Sequence, residues 1–87
     1  MRIDKYLKVS RLIKMRTVAK EAADSGRILL NGKVAKAGAD VSVGDIITIR
    51  FGDRETSVRV LELSNTQKKE EAQNKYEVVN SSRNRQR

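Results

Sequence analysis

The sequence predicts an α+β domain in which an N-terminal helix-turn-helix packs on a small mixed β-sheet. Three observations predict it. Apolar residues recur at helical spacing from Ile3 to Ile13, an Asn31-Gly32 pair separates two short apolar runs, and Thr56, Val58 and Val60 alternate with Ser57 and Arg59.

The first helix is expected over residues 3–13, where Ile3, Tyr6, Leu7, Ser10 and Ile13 fall within one arc of about a third of the circle. That arc should face the core. Asp4, Lys8 and Arg11, with Lys5 on their flank, share the opposite face, because residues three, four and seven apart stack along a helix. Lys14-Met15-Arg16 breaks the period, and Thr17 is the expected N-cap of a second helix carrying Val18, Ala19, Ala22 and Ala23. Ser25-Gly26 should end it with glycine at C′. The alanines would let the two helices approach closely.

The rest reads as strands. Ile28-Leu29-Leu30 and Lys33-Val34-Ala35 flank Asn31-Gly32, a strong hairpin signal because both central residues of that turn need positive φ. Val43-Gly44-Asp45 marks a turn, Ile46 to Phe51 a strand, Gly52-Asp53 a further turn, and residues 56–60 a half-buried strand. Ser64-Asn65-Thr66-Gln67 has the form of a capping box opening a short helix through Lys75, and Tyr76 to Val79 suggests one more strand. Residues 1–79 are expected to be a single domain. Residues 80–87 hold nothing apolar to offset the entropy of folding, so they are expected to be a disordered basic tail.

Composition narrows the function. A chain of 87 residues buries only ~60% of the surface its unfolded form exposes, so its function should sit on the outside. The absence of Cys and His removes disulfides, thiolate metal sites and the commonest general base. Neither an enzyme nor a cofactor is expected. The N-terminus lacks the apolar stretch of a secretory signal, and Ile28-Leu29-Leu30 is far shorter than the ~20 residues a bilayer span needs, so a cytoplasmic location away from membranes is expected. Net charge is +8, unevenly spread: residues 1–20 hold seven Lys/Arg against Asp4 alone, residues 21–66 six against seven, and residues 67–87 six against three. A basic segment beside a near-neutral body is the electrostatic footprint expected for a polyanion.

Four landmarks in order carry a family resemblance: Arg-Ile-Asp-Lys-Tyr-Leu, Ser-Arg, Gly-Arg-Ile-Leu-Leu-Asn-Gly-Lys and Val-Gly-Asp. Over residues 2–50 the chain resembles the S-four RNA-binding domain, whose core is the alpha-L motif. Arg-Phe-Gly after the third strand and Lys-Lys-Glu-Glu-Ala near the end make it most similar to the stand-alone, RqcP-type members that serve bacterial ribosome quality control. The resemblance implies binding to the large ribosomal subunit, with contacts to its rRNA and to a peptidyl-tRNA or P-site tRNA. It also implies work beside an RqcH-type factor that adds alanine tails to stalled chains. A free monomer is expected.

The cations themselves suit this role. Arg2, Lys5, Lys8, Arg11, Lys14 and Arg16 offer donors along one helix and the turn after it, and structured RNA offers closely spaced phosphates and 2′-hydroxyls. Arg27, Lys33 and Lys36 surround the hairpin as a second set. The alternative reading is that some of these are ordinary solvated side chains, Lys8 and Lys14 before Arg11 and Arg16. Asp4 is a lone carboxylate among them, and two readings stay open for it: a structural one, capping the first helix, and a functional one, orienting Arg11 or Lys8 or accepting a base N–H. No aromatic residue is interleaved among these cations except Tyr6, which the core claims, so base stacking is not expected to dominate. A constitutive structural ribosomal protein and an RNA-targeting subunit for an enzyme in trans are the alternatives.

Overall fold

Helix α1 spans Ile3–Val9 and α2 Arg16–Asp24, followed by β1 Ile28–Leu30, β2 Lys33–Val34, β3 Ile46–Phe51, β4 Arg54–Val60 and β5 Tyr76–Arg83. This is a computed structural model, and it describes residues 1–63 and 75–83. The five strands form one sheet in the order β2-β1-β3-β4-β5, and every pairing is antiparallel. The sheet is therefore not mixed as expected. A parallel pair needs a crossover of a dozen or more residues, usually helical, and the segments joining neighbouring strands between Ile28 and Val60 are tight turns and an extended loop.

The apolar arc of the first segment packs as anticipated: Ile3, Tyr6, Leu7, Ser10 and Ile13 are all buried. The helix itself is shorter than expected. Ser10 caps α1, Arg11 adopts φ 65°, and the Ile13 amide donates back to the Leu7 carbonyl at 3.0 Å. Burial thus continues past the end of the helix because a tight turn folds Ile13 under it. Met15, not Thr17, is the N-cap of α2, so Arg16 opens the helix and Thr17 sits in its first turn. Ala19, Ala22 and Ala23 face the core while Val18 is exposed. Gly26, at φ 84°, ends the helix as the sequence suggests.

Asn31 (φ 53°) and Gly32 (φ 87°) form the expected hairpin turn. The Asn31 side chain does more than turn the chain. Its Oδ1 accepts from the Ile46 amide at 2.9 Å and its Nδ2 donates to Asp45 Oδ1 at 3.2 Å, tying the hairpin to the Val43-Gly44-Asp45 turn.

The sheet's inner face carries Ile28, Ile47, Val58 and Val60, which pack with Ile3 and Leu7. The outer face is polar, with Thr48 and Ser57 hydroxyls bonded at 2.8 Å and ion pairs Arg50–Glu55 and Arg59–Glu77. Strand β5 is longer than Tyr76–Val79, since residues 80–83 pair with β4 in register Ser57↔Asn80 to Arg54↔Arg83. Part of the expected tail is therefore sheet, because backbone pairing with an otherwise unpaired edge needs no apolar side chain. Residues 64–74, which hold all but the last residue of the helix expected from Ser64 through Lys75, and the tail residues 84–87 lie outside the described residues.

Tyr6 locks the far end of the sheet to α1. Its buried hydroxyl donates to the Lys75 carbonyl at 2.5 Å, and the amides of Leu61 and Glu62 converge on the same oxygen. Burial pushes the phenol's pKa well above its ordinary value, so it stays a donor. Tyr6→Phe removes one of three donors to that carbonyl and is expected to cost about 0.5–1.5 kcal/mol, read as a lower midpoint in urea unfolding.

Candidate nucleic-acid interface

The first turn of α1 is held by a loop of small residues. The Ile3 amide donates to the Ala39 carbonyl at 2.8 Å, Asp4 to Ala37 at 3.3 Å, and Val41 to Met1 at 2.9 Å. Ala37 is itself buried, so the loop lies close over the helix start. The Met1 ammonium pairs with Asp40 at 2.9 Å and closes this clasp.

Asp4 is buried as a consequence, its side chain 3% exposed, and so it does not share the solvent face as expected. Nor does it cap α1; Arg2 occupies that position without a side-chain bond. Instead the carboxylate collects two guanidiniums. Arg2 presents Nε to Oδ1 at 3.2 Å and Nη2 to Oδ2 at 3.3 Å, and Arg16 presents Nη2 to Oδ1 at 3.3 Å. Burial raises the Asp4 pKa, but the bonds to Arg16 and Arg2 lower it by more, so the carboxyl is held below its ordinary 3.8 and stays ionised. Arg2 and Arg16 remain 54% and 43% exposed, which leaves their outer N–H groups facing solvent.

These residues line an open groove of ≈ 290 Å³ together with Thr17 and Lys20. Lys20 lies one helical turn after Arg16, so the two cations stand on one face of α2. With Asp4 counted against Arg2, Arg16 and Lys20, the groove keeps a net charge of +2. Forked donors held rigid by a buried acceptor match the spacing of backbone phosphates and 2′-hydroxyls in folded RNA. Where the sequence suggests Arg11 or Lys8 as the partner of Asp4, the structure supplies Arg2 and Arg16, and Lys20 joins them at a four-residue spacing from Arg16 that is visible in the chain.

The other candidates are dispersed. Lys5 and Lys8 are half-buried on α1, Arg11 and Lys14 are exposed in the interhelical turn, and Lys33 and Lys36 are exposed at the hairpin and the loop after it. Arg27 stands between α2 and β1, beside Phe51 on the far side of α2 from the groove. Among the described residues there is no group of acidic side chains suited to hold a metal ion, and no helix long and apolar enough to cross a membrane.

Known proteins resemble this chain in sequence and in fold. The family model described as S4 domain matches residues 1–47. The chain is 60% identical over 79 residues to the RQC P-site tRNA stabilizing factor of Bacillus subtilis, covering 91% of this chain and 92% of that one. It is 54% identical over 83 residues to the protein of the same name in Streptococcus pneumoniae, covering 95% and 94%. Among solved structures, the trimeric heat shock protein 15 of Vibrio cholerae superposes with a TM-score of 0.84 at 31% identity, covering 91% of this chain and 81% of that one.

Proposed function

Since the chain belongs to the S4 domain family, we propose that it is a non-catalytic RNA-binding factor of ribosome quality control, which binds the large ribosomal subunit carrying an obstructed peptidyl-tRNA and stabilises that tRNA in the P site. The observation that carries this reading is the pair of arginines fixed by one buried carboxylate, Arg2 and Arg16 on Asp4, at the mouth of a cationic groove. A groove of this kind grips RNA by shape and charge and needs no chemistry of its own. With neither His nor Cys in the chain, the groove offers binding rather than catalysis. In this reading the protein supports alanine tailing by an RqcH-type factor on the same particle by keeping the tRNA seated, and it acts in the cytoplasm as a monomer.

Sedimentation tests the proposal. The protein is expected to travel with large subunits that retain peptidyl-tRNA and to leave them when the tRNA is released. Equal binding to small subunits, or to every translating ribosome at the stoichiometry of a structural component, contradicts it.

The groove also sets a salt dependence. Each phosphate engaged contributes a slope of about −0.7 to −0.9 to the log–log plot of affinity against salt, so three cations in the groove give roughly −2 to −3, with any further contacts adding to it. A titration of large-subunit binding from low to physiological ionic strength measures this slope, and a flat line rules out phosphate-dominated binding.

A further inference from the structure

Phe51 is an exposed aromatic ring at the end of β3, on the same face of the sheet as buried Ile47 and Ile49. It stands between two shallow hollows. One, of ≈ 260 Å³, is lined by Val18, Glu21, Ala22, Ser25 and Arg27 with the ring, and the other, of ≈ 170 Å³, by Leu12, Ile49, Arg54 and Thr56 with the ring. Arg54 faces Phe51 in the β3–β4 register. Among the described residues neither Arg27 nor Arg54 has an ion pair.

The position of this ring is separate from the groove. On α2, Arg16, Thr17 and Lys20 line the cationic groove, whereas Val18, Glu21, Ala22 and Ser25 line the hollow beside Phe51. The helical rotation between the two sets turns them to opposite flanks of the helix. The cationic groove has no aromatic lining, and the Phe51 site has one aromatic ring between two arginines.

The geometry points to a second RNA contact at Phe51, where an unpaired nucleotide stacks its base on the ring while its flanking phosphates meet Arg27 and Arg54. Charge complementarity selects this occupant. Two arginines beside an apolar ring attract a ligand that is anionic at its ends and flat and apolar in its middle, and a nucleotide in single-stranded RNA has that form. Glu21 is the one acid lining either hollow, and it offers an acceptor to an exocyclic amino group, which adenine, cytosine and guanine carry and uracil lacks, so oligoadenylate is a suitable probe. The proposal rests on the RNA-binding reading above and gives it a second point of attachment, which fixes orientation on the particle.

The chain contains no Trp, so Phe51→Trp introduces a single fluorophore at the site that keeps a stacking surface. Titrating this variant with short oligoadenylate is expected to quench its emission, and to do so equally in an Arg16→Ala background, where the groove is impaired. Phe51→Leu preserves apolar bulk but has no π-face. It is expected to weaken oligoadenylate binding roughly five- to more than a hundredfold with an unchanged melting temperature, and Arg54→Ala to weaken it less. Unquenched Trp at saturating oligoadenylate, equal binding by Phe51→Leu and the parent chain, or loss of quenching in the Arg16→Ala background each overturns the proposal. So does a Phe51→Leu chain that binds RNA normally but loses association with a protein of the particle. Failure of the groove reading registers separately, as normal large-subunit binding by Arg16→Ala.

Discussion

Replacing Asp4 by Ala is expected to lower stability and RNA binding together, although the residue carries the same sign of charge as RNA. Its carboxylate is buried and holds three hydrogen bonds from two arginines. Because both guanidiniums are about half exposed, their removal from Asp4 leaves them hydrated rather than stranded, and screening limits the loss to about 1–3 kcal/mol. The two cations then repel and sample many rotamers. Restoring their order on binding costs about 0.5–1.5 kcal/mol per side chain, so affinity for RNA is expected to fall roughly tenfold even though net charge has become more favourable. The pH dependence gives an independent check. The folded-state pKa of Asp4 lies below its ordinary value, so its contribution is complete above pH ~4 and is lost as the pH falls through the folded value. The gap in melting temperature between the parent chain and Asp4→Asn is therefore expected to be constant from pH 7 to about pH 5 and to close in stronger acid. A gap that does not narrow on acidification below the ordinary carboxylate range, or tighter RNA binding by Asp4→Ala, contradicts the account.

Arg16→Ala is expected to have the larger effect on binding and the smaller one on folding. Arg16 opens α2, donates one of the three bonds to Asp4, and keeps nearly half of its side chain in solvent at the groove mouth. Arg2 still neutralises Asp4 through two bonds when Arg16 is gone, so the melting temperature should change little. Loss of an arginine contact to RNA costs on the order of 1–3 kcal/mol, or roughly five- to more than a hundredfold in affinity. The matched control is Arg59→Ala, which removes the same charge from the polar outer face of the sheet, where Arg59 pairs with Glu77. Equal weakening of large-subunit binding by the two substitutions, with both chains folded, assigns the effect to total charge and not to a placed contact.

How far this site can be read from the chain depends on what kind of physics sets each part of it. The buried arc Ile3–Tyr6–Leu7–Ser10–Ile13, the Asn31-Gly32 hairpin and the turns at Gly44 and Gly52 follow local rules, and the structure has all of them. The extent of α1 does not follow such a rule, because Arg11 enters the left-handed region to return Ile13 to the core, and periodicity registers burial without registering the turn. Asp4 was recognisable as an anomaly in a basic segment. Its partners were not, since Arg2 shares no helical spacing with it and Arg16 reaches it only through the packing of α2 on α1. The strand pairing of residues 80–83 escapes a composition argument because the stabilisation lies in backbone hydrogen bonds to β4. Of the cluster at Phe51, Arg54 lies across the Gly52-Asp53 turn that the sequence suggests, whereas Arg27, just before β1, joins it only through the pairing of β1 with β3, which no local pattern in the chain shows.

The most direct test of the account is a density map of the protein bound to large subunits that carry peptidyl-tRNA, at a resolution that shows arginine side chains. The account predicts that the groove between the start of α1 and the Arg16–Lys20 face of α2 lies against RNA backbone, with Arg2 and Arg16 each on phosphate or ribose oxygens and Asp4 still between them. A map in which that groove faces solvent, with the protein attached to the subunit through the polar outer face of its sheet, would contradict it.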